Sequence, residues 1–179
     1  MVKKKAIFFD RDGVLNFPII KKKKPYAPLS IKQFKLYKNL EKYNKKIRKK
    51  EYLIFVITNQ PDFRKKKIST KILNKLNKIL YEKFKYNKIY ISLSKNDNNY
   101  FRKPNPGMIM KAKNEFNLDL NKSFIIGDRF SDIIIGKKLN IKSIFIDRNY
   151  KEKKPLNQIC TVKNIKEAVN FILKYKEKK

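Results

Sequence analysis

Phe8-Phe9-Asp10-Arg11-Asp12-Gly13-Val14-Leu15-Asn16 sets two acids one residue apart, directly behind the apolar run Ala6-Ile7-Phe8-Phe9. A buried strand that ends in paired acids puts both at the carboxyl edge of a sheet, where open α/β folds keep their sites. Asp10 and Asp12 share one side if the strand continues, and Gly13 lets the chain turn away at once. Two anions so close repel each other, so the arrangement points to a cation between them. That reading is of a magnesium-assisted enzyme.

Outward from this stretch, short apolar runs alternate with helical patterns. Strands are expected at Ala6 to Phe9, Tyr52 to Ile57, Ile89 to Leu93, Phe124 to Ile126 and Ser143 to Ile146. Leu40, Tyr43 and Ile47 recur at helical spacing, as do Leu73, Leu76, Leu80 and Phe84 behind a candidate cap at Ser69. Further helices are expected around Met108 to Phe116, Ile133 to Leu139 and Ile165 to Ile172. This alternation predicts an α/β, Rossmann-like parallel sheet with helices on both faces. Lys21 to Pro28 reads as a long loop, and no insertion is large enough for a separate cap domain. One domain over residues 1–179 is the expectation.

Composition narrows the chemistry. There is no histidine, and Cys160 is the only cysteine, so imidazole catalysis, an internal disulfide and a multi-cysteine zinc site are excluded. No apolar stretch is long enough to span a membrane, and the start lacks a signal peptide's apolar core, so a cytoplasmic location is expected. The formal net charge of +32 invites a nucleic-acid reading. However, the bases are overwhelmingly lysine and lie in scattered runs, at Lys3 to Lys5, Lys21 to Lys24, Lys45 to Lys50 and Lys65 to Lys67. Compositional drift on a solvated surface is preferred, and a monomer follows from the like-sign charge.

Three further stretches carry chemistry. Val56-Ile57-Thr58-Asn59-Gln60 ends a strand in small donors suited to phosphate oxygens, although alone it is equally a turn with a helix cap. In Phe101-Arg102-Lys103-Pro104-Asn105-Pro106-Gly107-Met108, proline biases Lys103 away from helix and Pro106 suits a helix start; alone, Lys103 is one more lysine. Phe124-Ile125-Ile126-Gly127-Asp128-Arg129-Phe130-Ser131-Asp132 again ends a strand in Gly-Asp. Asp128 is placed to complete an all-oxygen metal site with Asp10 and Asp12, and Asp132 serves at least partly as a helix cap. An EF-hand fails because its twelfth position would be Lys21, and no G-x-G-x-x-G exists.

In this order and spacing, the four stretches resemble the haloacid dehalogenase-like phosphatases, over roughly residues 5 to 148. They look like the small-cap branch that contains heptose bisphosphate and histidinol-phosphate phosphatases. The resemblance implies that Asp10 is the nucleophile forming an aspartyl-phosphate, and that Asp12 protonates the leaving oxygen and then deprotonates water. It implies Mg²⁺ on Asp10, Asp128 and the backbone carbonyl of Asp12, with Thr58 and Lys103 on the transferring oxygens and Asn59 and Arg102 facing the leaving group. One departure stands out. Members of that branch commonly carry a zinc loop of cysteines and a histidine before the Arg-Lys-Pro segment. Here Ser92 to Phe101 has neither residue type, so no zinc is expected.

The implied substrate is a small phosphorylated metabolite, foremost a sugar phosphate such as D-glycero-D-manno-heptose 1,7-bisphosphate. Histidinol phosphate, a nucleic-acid 3′-phosphate, and a catalytically decayed binding protein are the alternatives.

Overall fold

Every side chain of the first apolar run is buried, because the strand it forms, β1 (Ala6–Phe9), sits in the middle of a sheet covered on both faces. The structure, a computed structural model, describes residues 2–64 and 67–176. Lys65 and Lys66 of the fourth lysine run lie outside the described residues.

After β1 the chain forms the short strands β2 (Ile19–Lys21) and β3 (Lys24–Tyr26), then α1 (Leu40–Lys49), β4 (Leu53–Asn59), α2 (Thr70–Phe84) and β5 (Lys88–Ser92). There follow α3 (Gly107–Phe116), β6 (Phe124–Gly127), α4 (Phe130–Leu139), β7 (Lys142–Ile146), β8 (Cys160–Val162) and α5 (Ile165–Lys174). The main sheet has the order β5-β4-β1-β6-β7-β8, and all its pairings are parallel. From β1 the chain builds outward through β4 and β5, then returns to β6 on the other side of β1. That reversal opens a crevice beyond the carboxyl ends of β1 and β6.

Alternation along each strand divides the core in two. Ile7 and Phe9 of β1, with Ile54 and Val56 of β4, pack under α1, α2 and α5. Ala6 and Phe8, with Phe55 and Ile57, pack against α3 and α4. The α/β expectation and helices on both faces hold. The cap expected at Ser69 is present, its hydroxyl accepting the Ile72 N–H at 3.3 Å.

Three differences from the expected elements matter. The sheet extends further: β4 keeps pairing with β5 through Thr58 and Asn59, so these residues belong to the strand and not to a turn after it. Helix α4 begins at Phe130, three residues before its apolar pattern becomes readable. The stretch taken as a long loop contains an antiparallel hairpin, β2–β3, whose turn residues Lys22 and Lys23 have φ of 49° and 60°. Asparagine and glycine usually mark such a turn, and two lysines conceal it.

Candidate active site

Asp10 is the first residue beyond β1, Asp128 the first beyond β6, and Thr58 stands near the end of β4, so three adjacent strands deliver them to one rim. Lys103 arrives from the loop before α3, and its ammonium bonds Asp10 Oδ1 at 2.7 Å, Asp132 Oδ1 at 2.7 Å and the Ile57 carbonyl at 3.2 Å. Asp10, Asp128 and Asp132 form a buried group whose candidate ligand oxygens lie within 4.8 Å of one another.

The third carboxylate of that group is therefore Asp132, whereas the sequence pointed to Asp12. The Asp12 carboxylate is held elsewhere, by Arg11 Nε and Nη2 at 3.2 and 3.0 Å, Asn16 Nδ2 at 2.9 Å and Gln60 Nε2 at 2.7 Å. Arg11 itself is fully buried, with Nη1 on Asn77 of α2 at 3.0 Å and its guanidinium over the Phe34 ring. Asp132 also has the capping role expected of it: Oδ2 accepts the Arg129 N–H at 3.2 Å at the start of α4. Gly127 permits this approach, because a Cβ there would collide with the Asp132 side chain.

Electrostatics explain why such a cluster needs a cation. Burial pushes Asp10 up to about 6; Lys103 opposes this, and the charges of Asp132 and Asp12 add to it. Asp128 is raised well above the usual carboxylate range, first by burial and then by Asp10 and Asp132. Burial lowers Lys103, but the two carboxylates more than reverse that, and its ammonium is held above the ordinary lysine value. Three carboxylates against one ammonium leave a formal excess of two negative charges, which one divalent ion would cancel. The donors are all oxygen, and among the described residues Asp128 Oδ1 is buried without a hydrogen-bond partner. Both features fit Mg²⁺.

Asp10 and Lys103 of this group open onto a cleft of about 290 Å³. Asp10, Asp12, Thr58, Asn59, Arg102 and Lys103 all line it. Thr58 Oγ1 accepts Gln60 Nε2 at 2.8 Å. Asn59 spends its amide on Lys103, accepting the backbone N–H at 3.1 Å and donating to the carbonyl at 3.0 Å. Arg102 is tied to Asp97 at 2.7 Å and to the Ser94 carbonyl at 2.9 Å, bracing the loop where zinc was not expected.

Sequence reading assigned no role to further residues that line the cleft. The hairpin contributes Lys24 and Tyr26, and Arg129 joins Glu152 in a two-pronged ion pair at 2.9 and 2.7 Å. Arg129 had a signal, since it lies inside the Gly-Asp stretch; Lys24 was lost among its neighbouring lysines. Among the described residues the Lys24 ammonium has no hydrogen-bond or ion-pair partner, whereas Arg102, Lys103 and Arg129 are all engaged.

Residues 5–172 match a family model described as polynucleotide kinase 3 phosphatase. A D-glycero-alpha-D-manno-heptose-1,7-bisphosphate 7-phosphatase of Campylobacter jejuni is 34% identical, over 99% of each chain. A D-glycero-beta-D-manno-heptose-1,7-bisphosphate 7-phosphatase of Helicobacter pylori is 29% identical, over 94% of this chain and 97% of the relative. Among solved structures, D,D-heptose 1,7-bisphosphate phosphatase from B. bronchiseptica, complexed with magnesium and phosphate, superposes with a TM-score of 0.78. It covers 94% of this chain and 98% of its own at 18% identity, a likeness in fold.

Proposed function

The chain belongs to the haloacid dehalogenase-like phosphatases, and from that membership we propose a Mg²⁺-dependent 7-phosphatase of D-glycero-D-manno-heptose 1,7-bisphosphate. The observation that carries the reading is the buried set of Asp10, Asp128, Asp132 and Lys103, of which Asp10 and Lys103 line an open cleft. Two relatives matched over nearly their whole length support the substrate by their names.

Asp10, Asp128 and Asp132 are the carboxylates that would hold the cation, and the family resemblance adds the Asp12 backbone carbonyl as a further ligand. When bound, Mg²⁺ offsets the repulsion between an attacking carboxylate and a phosphate. Asp10 Oδ1 is engaged by Lys103, which leaves Oδ2 to attack phosphorus. The Asp10 Oδ2–P bond forms as the ester P–O bond breaks, giving an aspartyl-phosphate. Lys103 keeps Asp10 aligned and offers charge to the transferring oxygens. Because Gln60 donates to Thr58 Oγ1, the threonine's own hydrogen is left to donate to phosphate. Asp12, steadied by Arg11, Asn16 and Gln60, gives a proton to the leaving oxygen and then takes one from the water that releases phosphate. Asn59 acts through Lys103. The partner-free Lys24 is the group for the phosphate that is retained.

We read residues 1–179 as one catalytic domain, since one six-stranded sheet among the described residues gathers the site, and as a cytoplasmic monomer, the monomer following from the like-sign net charge of +32. Among the described residues no helix is long and apolar enough to cross a membrane. A second reading, hydrolysis of a nucleic-acid 3′-phosphate, draws on the description of the matching family and the net charge of +32.

A phosphate-release screen over heptose bisphosphate, histidinol phosphate and a 3′-phosphorylated oligonucleotide separates these readings. Heptose bisphosphate is expected to have the highest kcat/KM, with Asp10→Asn inactive. Preference for the oligonucleotide with steep loss at higher salt would favour the second reading, and full turnover by Asp10→Asn would end the phosphatase chemistry.

A further inference from the structure

The chain crosses from β7 toward β8, and its residues 148–152 form a strap outside any helix or strand. Arg148 Nε donates to the Gly13 carbonyl at 3.0 Å, and the Lys151 N–H donates to the Lys23 carbonyl of the hairpin turn at 2.8 Å. Glu152 carries Arg129. Between them, the Tyr150 hydroxyl donates to Asp128 Oδ2 at 2.7 Å.

That last bond has a direct consequence for a metal. A carboxylate free to turn about its Cβ–Cγ bond presents either oxygen. A donor on one oxygen stops the rotation and aims the other. Here Oδ2 is taken, and Oδ1 is buried with no partner among the described residues. The fold makes room for the pair: a Cβ at position 13 would collide with Asp128 Oδ2 and lie 3.0 Å from the Tyr150 hydroxyl oxygen. Burial and the charge of Asp128 raise the Tyr150 phenol above its ordinary value, so it stays a neutral donor.

We propose that Tyr150 is a positioning residue for the divalent cation, pinning Asp128 Oδ2 so that Oδ1 is presented to the metal. This rests on the reading of Asp10, Asp128 and Asp132 as a Mg²⁺ site. Tyr150→Phe removes only the hydroxyl. The experiment is calorimetric titration of wild type and variant with MgCl₂ alone, alongside kcat at saturating Mg²⁺ and thermal unfolding in EDTA.

Wild type is expected to bind Mg²⁺, with the variant weakened by about 10–100-fold. Its kcat should return to within about threefold of wild type once Mg²⁺ saturates, because the residues facing substrate are untouched. An unchanged dissociation constant, with or without a lower unfolding temperature, overturns the proposal while leaving the metal reading intact. Wild type that binds no Mg²⁺ overturns the metal reading and the proposal with it. If the phenylalanine variant is too unstable to titrate, Tyr150→Leu and Tyr150→His replace it: the histidine keeps a donor and should bind more tightly, and equal binding by the two overturns the proposal.

Discussion

Lys103→Met is the perturbation that most directly tests the electrostatic account of the site. The side chain is almost wholly buried and lies 2.7 Å from both Asp10 Oδ1 and Asp132 Oδ1, whose side chains are only 8% and 1% exposed. Methionine keeps much of the volume and removes the charge. Taking one partner from a buried ion pair costs about 3–5 kcal/mol, since the remaining charge is stranded. For a chain of this size each kcal/mol moves the unfolding temperature by about 2–4 °C, so a fall of about 6–20 °C is expected in EDTA. The deficit should depend on pH. Asp10 is already raised from 3.8 to about 6, and Lys103 is what lowers it; without the lysine it rises further. A raised carboxylate costs nothing below its unfolded value and its full penalty above its folded value. Wild type and variant bear the same penalty until pH reaches the wild-type folded value, so stability of the variant should fall further below wild type as pH climbs above about 6. Saturating Mg²⁺ should restore part of the unfolding temperature, because a cation again faces the carboxylates, without restoring turnover. Differential scanning fluorimetry across pH, with and without Mg²⁺, reads all of this. A variant within about 2 °C of wild type in EDTA at every pH would refute the reasoning.

Lys24→Ala should raise KM for the heptose bisphosphate by about 10–100-fold, the worth of one charge-assisted hydrogen bond, and leave a monophosphate substrate unchanged in initial-rate assays; equal effects on both would remove Lys24 from recognition. Gly13→Ala forces a side chain onto φ +99° and into Asp128, so it should lose about 1–3 kcal/mol of stability and most Mg²⁺ binding; calorimetry showing normal affinity would contradict this. For wild type, Mg²⁺ at about 100 times its dissociation constant should add about 2.7 kcal/mol of stability at neutral pH. The gain should shrink as pH drops below about 6, where protons take the place of the cation on Asp10, and a pH-independent gain measured by thermal unfolding would count against metal binding at Asp10.

Much of the framework was legible from the chain because it is written locally. An apolar run with an acid at its end announces both a buried strand and the rim where it stops. That property belongs to Ala6–Asp10 and Phe124–Asp128 wherever they sit in space. Helical spacing did the same for α1 and α2. Short pieces escaped, since three-residue strands such as β2, β3 and β8 hold too few positions to show a period of two. The Lys22-Lys23 turn escaped because lysine carries no turn signal.

Which oxygens meet was decided only in three dimensions. Asp12 stands two residues from Asp10 and still turns its carboxylate to Arg11, Asn16 and Gln60, because those donors are there to satisfy it. Asp132 takes its place beside Asp10 and Asp128 because β1 and β6 are neighbours and Gly127 lets the helix start close in. Tyr150 is 22 residues from Asp128, and no spacing rule links them; parallel pairing of β6 with β7 brings the strap back to Asp128. Residue type and order supplied the chemical vocabulary, while sheet order chose the partners, since a hydrogen bond depends on distance through space and not along the chain.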